Sequence, residues 1–158
     1  GWFSGSTLLI GLGWAMACLS EVPVFAVAQR WIAARGSRVL MMAAAAAYAI
    51  RWAMPLISDH PWWLVCIQLT HGITNALLFA AAVHYIRQLV PAALVSSGQT
   101  LLVMFLFNIP GIAGGAIGGW LLEAGHERSL FIAASVLSLA AAGMLAWMSG
   151  SQRQARPQ

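Results

Sequence analysis

Charge is what this sequence has least of. It contains no lysine, and Asp, Glu, Lys and Arg together make up 8% of its 158 residues, against about 25% in soluble domains. A chain so poor in charge cannot cover a water-facing surface. The sequence pI is near 10.1, but the eight cations, all arginine, do not form one patch, which argues against nucleic-acid binding. The two cysteines, Cys18 and Cys66, lie in apolar runs with neither CxxC spacing nor a disulfide framework, and read as small packing residues. Catalytic patterns are missing as well. There is no metal-spaced His/Cys/acid cluster, no GxSxG and no phosphate loop, so neither a metal nor a cofactor is expected and the chain does not read as an enzyme. The "GLG" at 11–13 lacks a preceding strand and a third glycine. No basic segment or cleavage site marks a signal peptide. The first residue is Gly rather than Met, and the chain is expected to be a fragment.

Long apolar runs fill the space that charge leaves. A membrane-crossing helix needs about 20 predominantly apolar residues. Five runs qualify, at about 7–29, 39–57, 62–86, 97–122 and 129–149. The expected fold is an all-α polytopic membrane bundle over residues 1–150, with a disordered tail at 151–158. Short connections read "RWIAARGSR", "SDHP", "RQLVPAALVSSG" and "EAGHERS". Arg30, Arg35 and Arg38 lie between runs one and two, Arg87 follows run three, and Arg153 and Arg156 follow run five. The alternate connections hold Asp59, Glu123, Glu127 and one arginine, Arg128. Excess arginine marks the cytoplasmic side, so the N-terminus is expected outside and the C-terminus inside, in a bacterial inner membrane. Trp62, Trp63 and Trp147 stand at run ends, where interfacial anchors belong.

The fourth run carries "GIAGGAIGGW", with Gly111, Gly115 and Gly119 four apart and Gly114 and Gly118 on a neighbouring strip. Small residues at this spacing let two membrane helices approach closely. Such a stripe serves either static packing or a sliding seam. Pro23, Pro55 and Pro110 are candidate kinks, tolerated where neighbours satisfy the freed carbonyl.

Three ionisable residues lie deep inside apolar runs: Glu21 in "CLSEVPVF", Arg51 and His71. A charge at the centre of a spanning helix costs roughly 2.5–3.5 kcal/mol on insertion scales, and such residues usually face a bundle interior or a wet cavity. At ~1.5 Å per residue, Glu21, Arg51 and His71 lie about 12–14, 18 and 22 Å from the arginine-rich ends of their runs. They therefore share a depth, although depth alone does not make them meet. Arg51 could snorkel to an interface and His71 could be a packing residue; the stem of Glu21 is too short for the first escape. Low dielectric disfavours a carboxylate and a nearby cation favours it. A change in water access or in the distance to Arg51 would alter how readily such a group takes a proton. Asn75 and Gln68 fall on the same helix face as His71. Gln99 and Asn108 give the fourth run two polar positions, and His84 and Tyr85 lie near the inner end of the third.

A Glu, an Arg and a His on three successive helices, joined by a basic inner loop, resemble the C-terminal half of major facilitator superfamily transporters. The group that fits best is the proton symporters that include lactose permease and phenylpropionate permease-like carriers. The likeness covers essentially the whole chain as the last five helices of a twelve-helix fold: "GWFSGSTLLIGLGWAMACLSE" is the outer loop and start of helix eight, "AIRW" lies in helix nine, "QLTHG" in helix ten, and the glycines in helix eleven. It implies that Glu21, Arg51 and His71 couple proton movement, with Arg51, Asn75 and Gln68 toward a small-molecule substrate. It also implies a missing N-terminal half as partner, without which the chain would not transport. Two departures stand out. Thr74 occupies the place where lactose permease-like chains carry a further acid. In the inner loop motif, Arg35, Gly36 and Arg38 are in place but Ala33 replaces the acid. A competing reading, a non-transporting membrane scaffold or anchor, explains the glycines but not three midplane ionisable groups.

Overall fold

The computed structural model describes residues 7–58 and 60–154. The expected opening of the outer loop at residues 1–6, Asp59, and the tail at 155–158 lie outside the described residues. Five helices are long and apolar enough to cross a membrane: α1 (Thr7–Arg35), α2 (Ser37–Ile57), α3 (Pro61–Leu89), α4 (Ala92–Glu123) and α5 (Glu127–Gln154). No strand occurs among the described residues.

Their ends follow local chemistry. The first run does not stop at residue 29: "RWIAAR" stays helical, Ile32 buries its side chain, and α1 ends only at Gly36. Gly36 adopts φ 79°, a left-handed conformation that L side chains resist, and this single residue reverses the chain into α2. The C-terminal end of α2 tightens into a 3₁₀ turn at Met54–Ile57 that accommodates Pro55. Trp63 then donates its indole N–H to the Met54 carbonyl at 2.7 Å, tying α2 to α3. His60 caps α3 by accepting from the Trp62 amide at 3.4 Å. At the far end of α4, His126 N donates to Leu121 O at 2.8 Å and Gly125 N to Leu122 O at 3.1 Å, the paired bonds of a Schellman cap. The link to α5 is therefore shorter than "EAGHERS" suggested. α5 continues to Gln154.

Packing is driven by small side chains. Val24 and Ile32 on α1, Leu40 and Ala44 on α2, and Ala76, Leu77 and Ala81 on α3 form one buried cluster. With little hydrophobic drive between helices in lipid, such alanine-rich faces gain by van der Waals contact at short range. α5 lies along α2, where Phe131 stacks on Trp52 with ring centroids 6.3 Å apart. α4 touches α3 through the edge-to-face pair Phe79–Phe107 and is otherwise largely open. Large apolar side chains such as Trp14, Ile50, Ile112 and Leu137 point outward, as a lipid-facing surface requires.

Candidate functional site

The ionisable residues of α1, α2 and α3 converge where these three helices pack together. Glu21 sits midway along α1. His71 Nε2 lies 3.2 Å from Glu21 Oε1. The other ring nitrogen, Nδ1, is 2.5 Å from Arg51 Nη1. A guanidinium can only donate, so Nδ1 accepts and the ring proton sits on Nε2, directed at Glu21. The imidazole is thus neutral and bridges a cation to an anion. Arg51 also donates to Thr74 Oγ1 at 3.0 Å and to Gln68 Oε1 at 2.5 Å. Asn75 Nδ2 donates to the same Glu21 oxygen at 2.7 Å, and the Tyr48 hydroxyl reaches Asn75 Oδ1 at 3.4 Å.

Arg51 and Thr74 are buried, at 9% and 0% exposure, whereas the side chains of Glu21 and His71 remain 24% and 19% accessible. The cation is sealed and the acid is reachable. Among the described residues, the three direct acceptors of Arg51, His71, Thr74 and Gln68, are all uncharged. Its charge is therefore balanced by Glu21 only through His71. Protonating Glu21 would leave the cluster with one uncompensated positive charge in a low-dielectric setting.

The winding of α3 builds this arrangement. It tightens to a 3₁₀ turn at Gln68–Thr70 and widens to a π turn at Gly72–Ala76; π turns are rare and concentrate at functional sites. Here the neighbours Thr74 and Asn75 serve different partners, Arg51 on α2 and Glu21 on α1. Beside them, α1 and α3 cross closely. Gly72 N donates to Ser20 Oγ at 2.9 Å, and Ser20 Oγ donates to Ala17 O at 2.7 Å. A Cβ on Gly72 would fall on the Ser20 carbonyl, so only glycine fits.

The structure therefore brings together Glu21, Arg51, His71, Gln68 and Asn75. It adds Tyr48, Thr74, Ser20 and Gly72. The first lies one turn before Arg51, and the others adjoin Glu21, His71 or Asn75 in sequence. Other expected positions lie elsewhere. No hydrogen bond links Gln99 or Asn108 to this cluster among the described residues. Arg35 ends α1, Gly36 forms the α1–α2 link, and Arg38 lies 5.2 Å over the Tyr85 ring, placing the start of α2 beside the end of α3. An added Cβ at Gly111, Gly115 or Gly119 would meet nothing within 4 Å, so the glycine face of α4 packs against no described residue of this chain.

Five spanning helices with a buried polar relay between the first three point to a membrane carrier, and sequence comparison settles the family. Residues 3–133 match the MFS_1 like family. The chain belongs to that family. It is also 28% identical to the maltose permease of Geobacillus stearothermophilus over 158 residues, covering 96% of this chain and 39% of the permease. The chain thus spans well under half the length of this relative. No solved structure matches it.

Proposed function

We propose that this chain is the C-terminal part of a secondary active transporter that couples proton entry to uptake of a small organic solute. Glu21 takes the proton, Arg51 supplies the fixed countercharge, and His71 carries the interaction between them. The observation that supports this most is the Arg51–His71–Glu21 relay, in which an accessible acid is balanced through one neutral ring. Loading a proton removes the anion that holds His71 Nε2–H and Asn75 Nδ2–H. Both donors can then turn to a hydroxyl or carboxylate oxygen of the solute, with Gln68 beside them. Proton and solute occupancy are coupled because the Glu21 carboxylate and the solute compete for the same two donors, so loading the proton favours loading the solute.

The combination of Glu21, Arg51 and His71 supports the finer assignment to the proton-symporter group that includes lactose permease. The family and the maltose permease relative make a sugar the first solute to try. The remaining chain supplies the other half of the solute cavity, as in carriers built from two repeated halves with a midplane site. The glycine face at Gly111, Gly115 and Gly119 leaves room for a helix of that half. In a bacterial inner membrane, the arginine-rich end would lie in the cytoplasm, with the N-terminus of this segment outside and its C-terminus inside.

The test is uptake by full-length protein reconstituted in liposomes, with maltose, aromatic acids and nucleosides as probes. The proposal expects one probe to accumulate above its external concentration when an inward proton gradient is imposed. Uptake that is indifferent to that gradient for every probe transported contradicts it.

A further inference from the structure

We propose that Ser20 is a positioning residue for the proton site: its hydroxyl holds the change of winding in α3 that sets His71 and Asn75 against Glu21. This rests on the reading of Glu21 as the group that takes the proton. In a regular α-helix the Gly72 amide bonds to the Gln68 carbonyl. Here that carbonyl accepts from the His71 amide, one residue early, and the Gly72 amide donates to Ser20 Oγ at 2.9 Å. Ser20 Oγ also lies 3.4 Å from Gln68 O, so a side chain of α1 stands at the backbone ladder of α3, a recognised cause of helix bending. The roles in these bonds are fixed by the backbone. An amide N–H can only donate and a carbonyl can only accept. Ser20 Oγ therefore accepts from Gly72 and gives its one proton to Ala17 O, the nearer of its two carbonyls, at 2.7 Å.

The π turn begins at the same residue, where Leu77 N donates to Gly72 O. Ser20 precedes Glu21 and Gly72 follows His71, so one bond joins α1 beside the acid to α3 beside the ring. Gly72 is buried, and a buried amide without an acceptor is costly. Removing the Ser20 oxygen is expected to return the Gly72 amide to the Gln68 carbonyl and rewind α3, turning the donors of His71 and Asn75 away from Glu21. The groups that face Glu21 are His71 and Asn75 from α3 and, behind them, Arg51 and Tyr48 from α2. Ser20 Oγ bonds to none of these side chains and acts through the winding of α3.

Two signals of the purified full-length protein test this without any substrate. Isotopic labelling of the histidine carbonyl and the glycine nitrogen selects His–Gly pairs in solid-state NMR. His71–Gly72 is the one such pair in this chain, and its amide signal is assigned by its loss in His71→Gln. The carbonyl stretch of protonated Glu21, seen in infrared difference spectra between neutral and acid pH, is assigned by its loss in Glu21→Gln. In Ser20→Ala the Gly72 amide signal is expected to shift, and the Glu21 band to move to higher wavenumber as its oxygen loses donors. Ser20→Thr, whose hydroxyl can make the same two backbone bonds, is expected to leave both signals at their wild-type positions. Ser20→Cys, with a weak acceptor, is expected to displace both, and it carries the same test should the alanine variant not fold. A Glu21 band unmoved in Ser20→Ala, or displaced in any of these variants without a displaced Gly72 amide, overturns the inference while leaving Glu21 as the proton site. Absence of any Glu21-dependent carboxyl band in the wild type overturns both readings together.

Discussion

Arg51 reaches Glu21 only through His71. The imidazole accepts from the guanidinium on one side and directs its Nε2–H to the carboxylate on the other, at 3.2 Å. A direct Arg–carboxylate pair would hold the acid as an anion whatever happened nearby. A relay through a neutral ring transmits the attraction while leaving it open to interruption by a solute or by helix movement.

Arg51→Lys keeps the charge and removes the fork. An ammonium on a flexible stem cannot hold His71, Thr74 and Gln68 together in the geometry of a planar guanidinium. Interhelical hydrogen bonds in membranes average about 0.6 kcal/mol, so losing two lowers stability by about 1 kcal/mol. Thermal unfolding of the full-length protein in detergent checks this, and gradient-driven uptake is expected to fall in the same variant.

Gly72→Ala forces α1 and α3 apart, because the new methyl group meets the Ser20 backbone carbonyl rather than a side chain that can move. The expected loss is about 1–3 kcal/mol, the usual range for overpacking. Gly11→Ala, on the outward face of α1 with nothing within 4 Å, is the control. It should be neutral or stabilising by up to about 1 kcal/mol from helix propensity. Unfolding titrations of both variants distinguish a tight crossing from a general intolerance of alanine.

How far the sequence revealed these features depended on what each residue costs in lipid. The five spans were legible because apolar runs of bilayer length are hard to disguise. "RWIAAR" holds two arginines and so reads as a connection, yet nothing in it breaks a helix before Gly36, and Ile32 contributes packing. Glu21, Arg51 and His71 stood out because midplane charge is expensive. Their depth could be counted along each helix, but their convergence depends on helix rotation, which the α1–α3 crossing at Ser20 and Gly72 helps to set. Tyr48 and Thr74 are ordinary residues in apolar helices, so nothing singled out their roles. Thr74 drew notice only as the place of a missing acid, and the structure gives it to Arg51 at 3.0 Å.

Gly115→Leu tests whether the open face of α4 receives a helix from the rest of the protein. An added Cβ there meets no described residue within 4 Å, so a large penalty points to a neighbour beyond the described residues. The full-length variant is expected to lose about 1–3 kcal/mol of stability, as overpacked interfaces do, and to transport poorly. Stability and uptake equal to wild type would show that this face looks onto lipid.

The central claim is that Glu21 carries the proton, and Glu21→Gln in the full-length protein tests it most directly. Glutamine keeps the shape and can still meet Asn75 and His71, but it cannot ionise. Uphill uptake driven by an imposed proton gradient and solute exchange across liposomes without a gradient are measured side by side. The expected result is loss of accumulation with exchange retained. Accumulation at the wild-type level in Glu21→Gln would contradict the assignment.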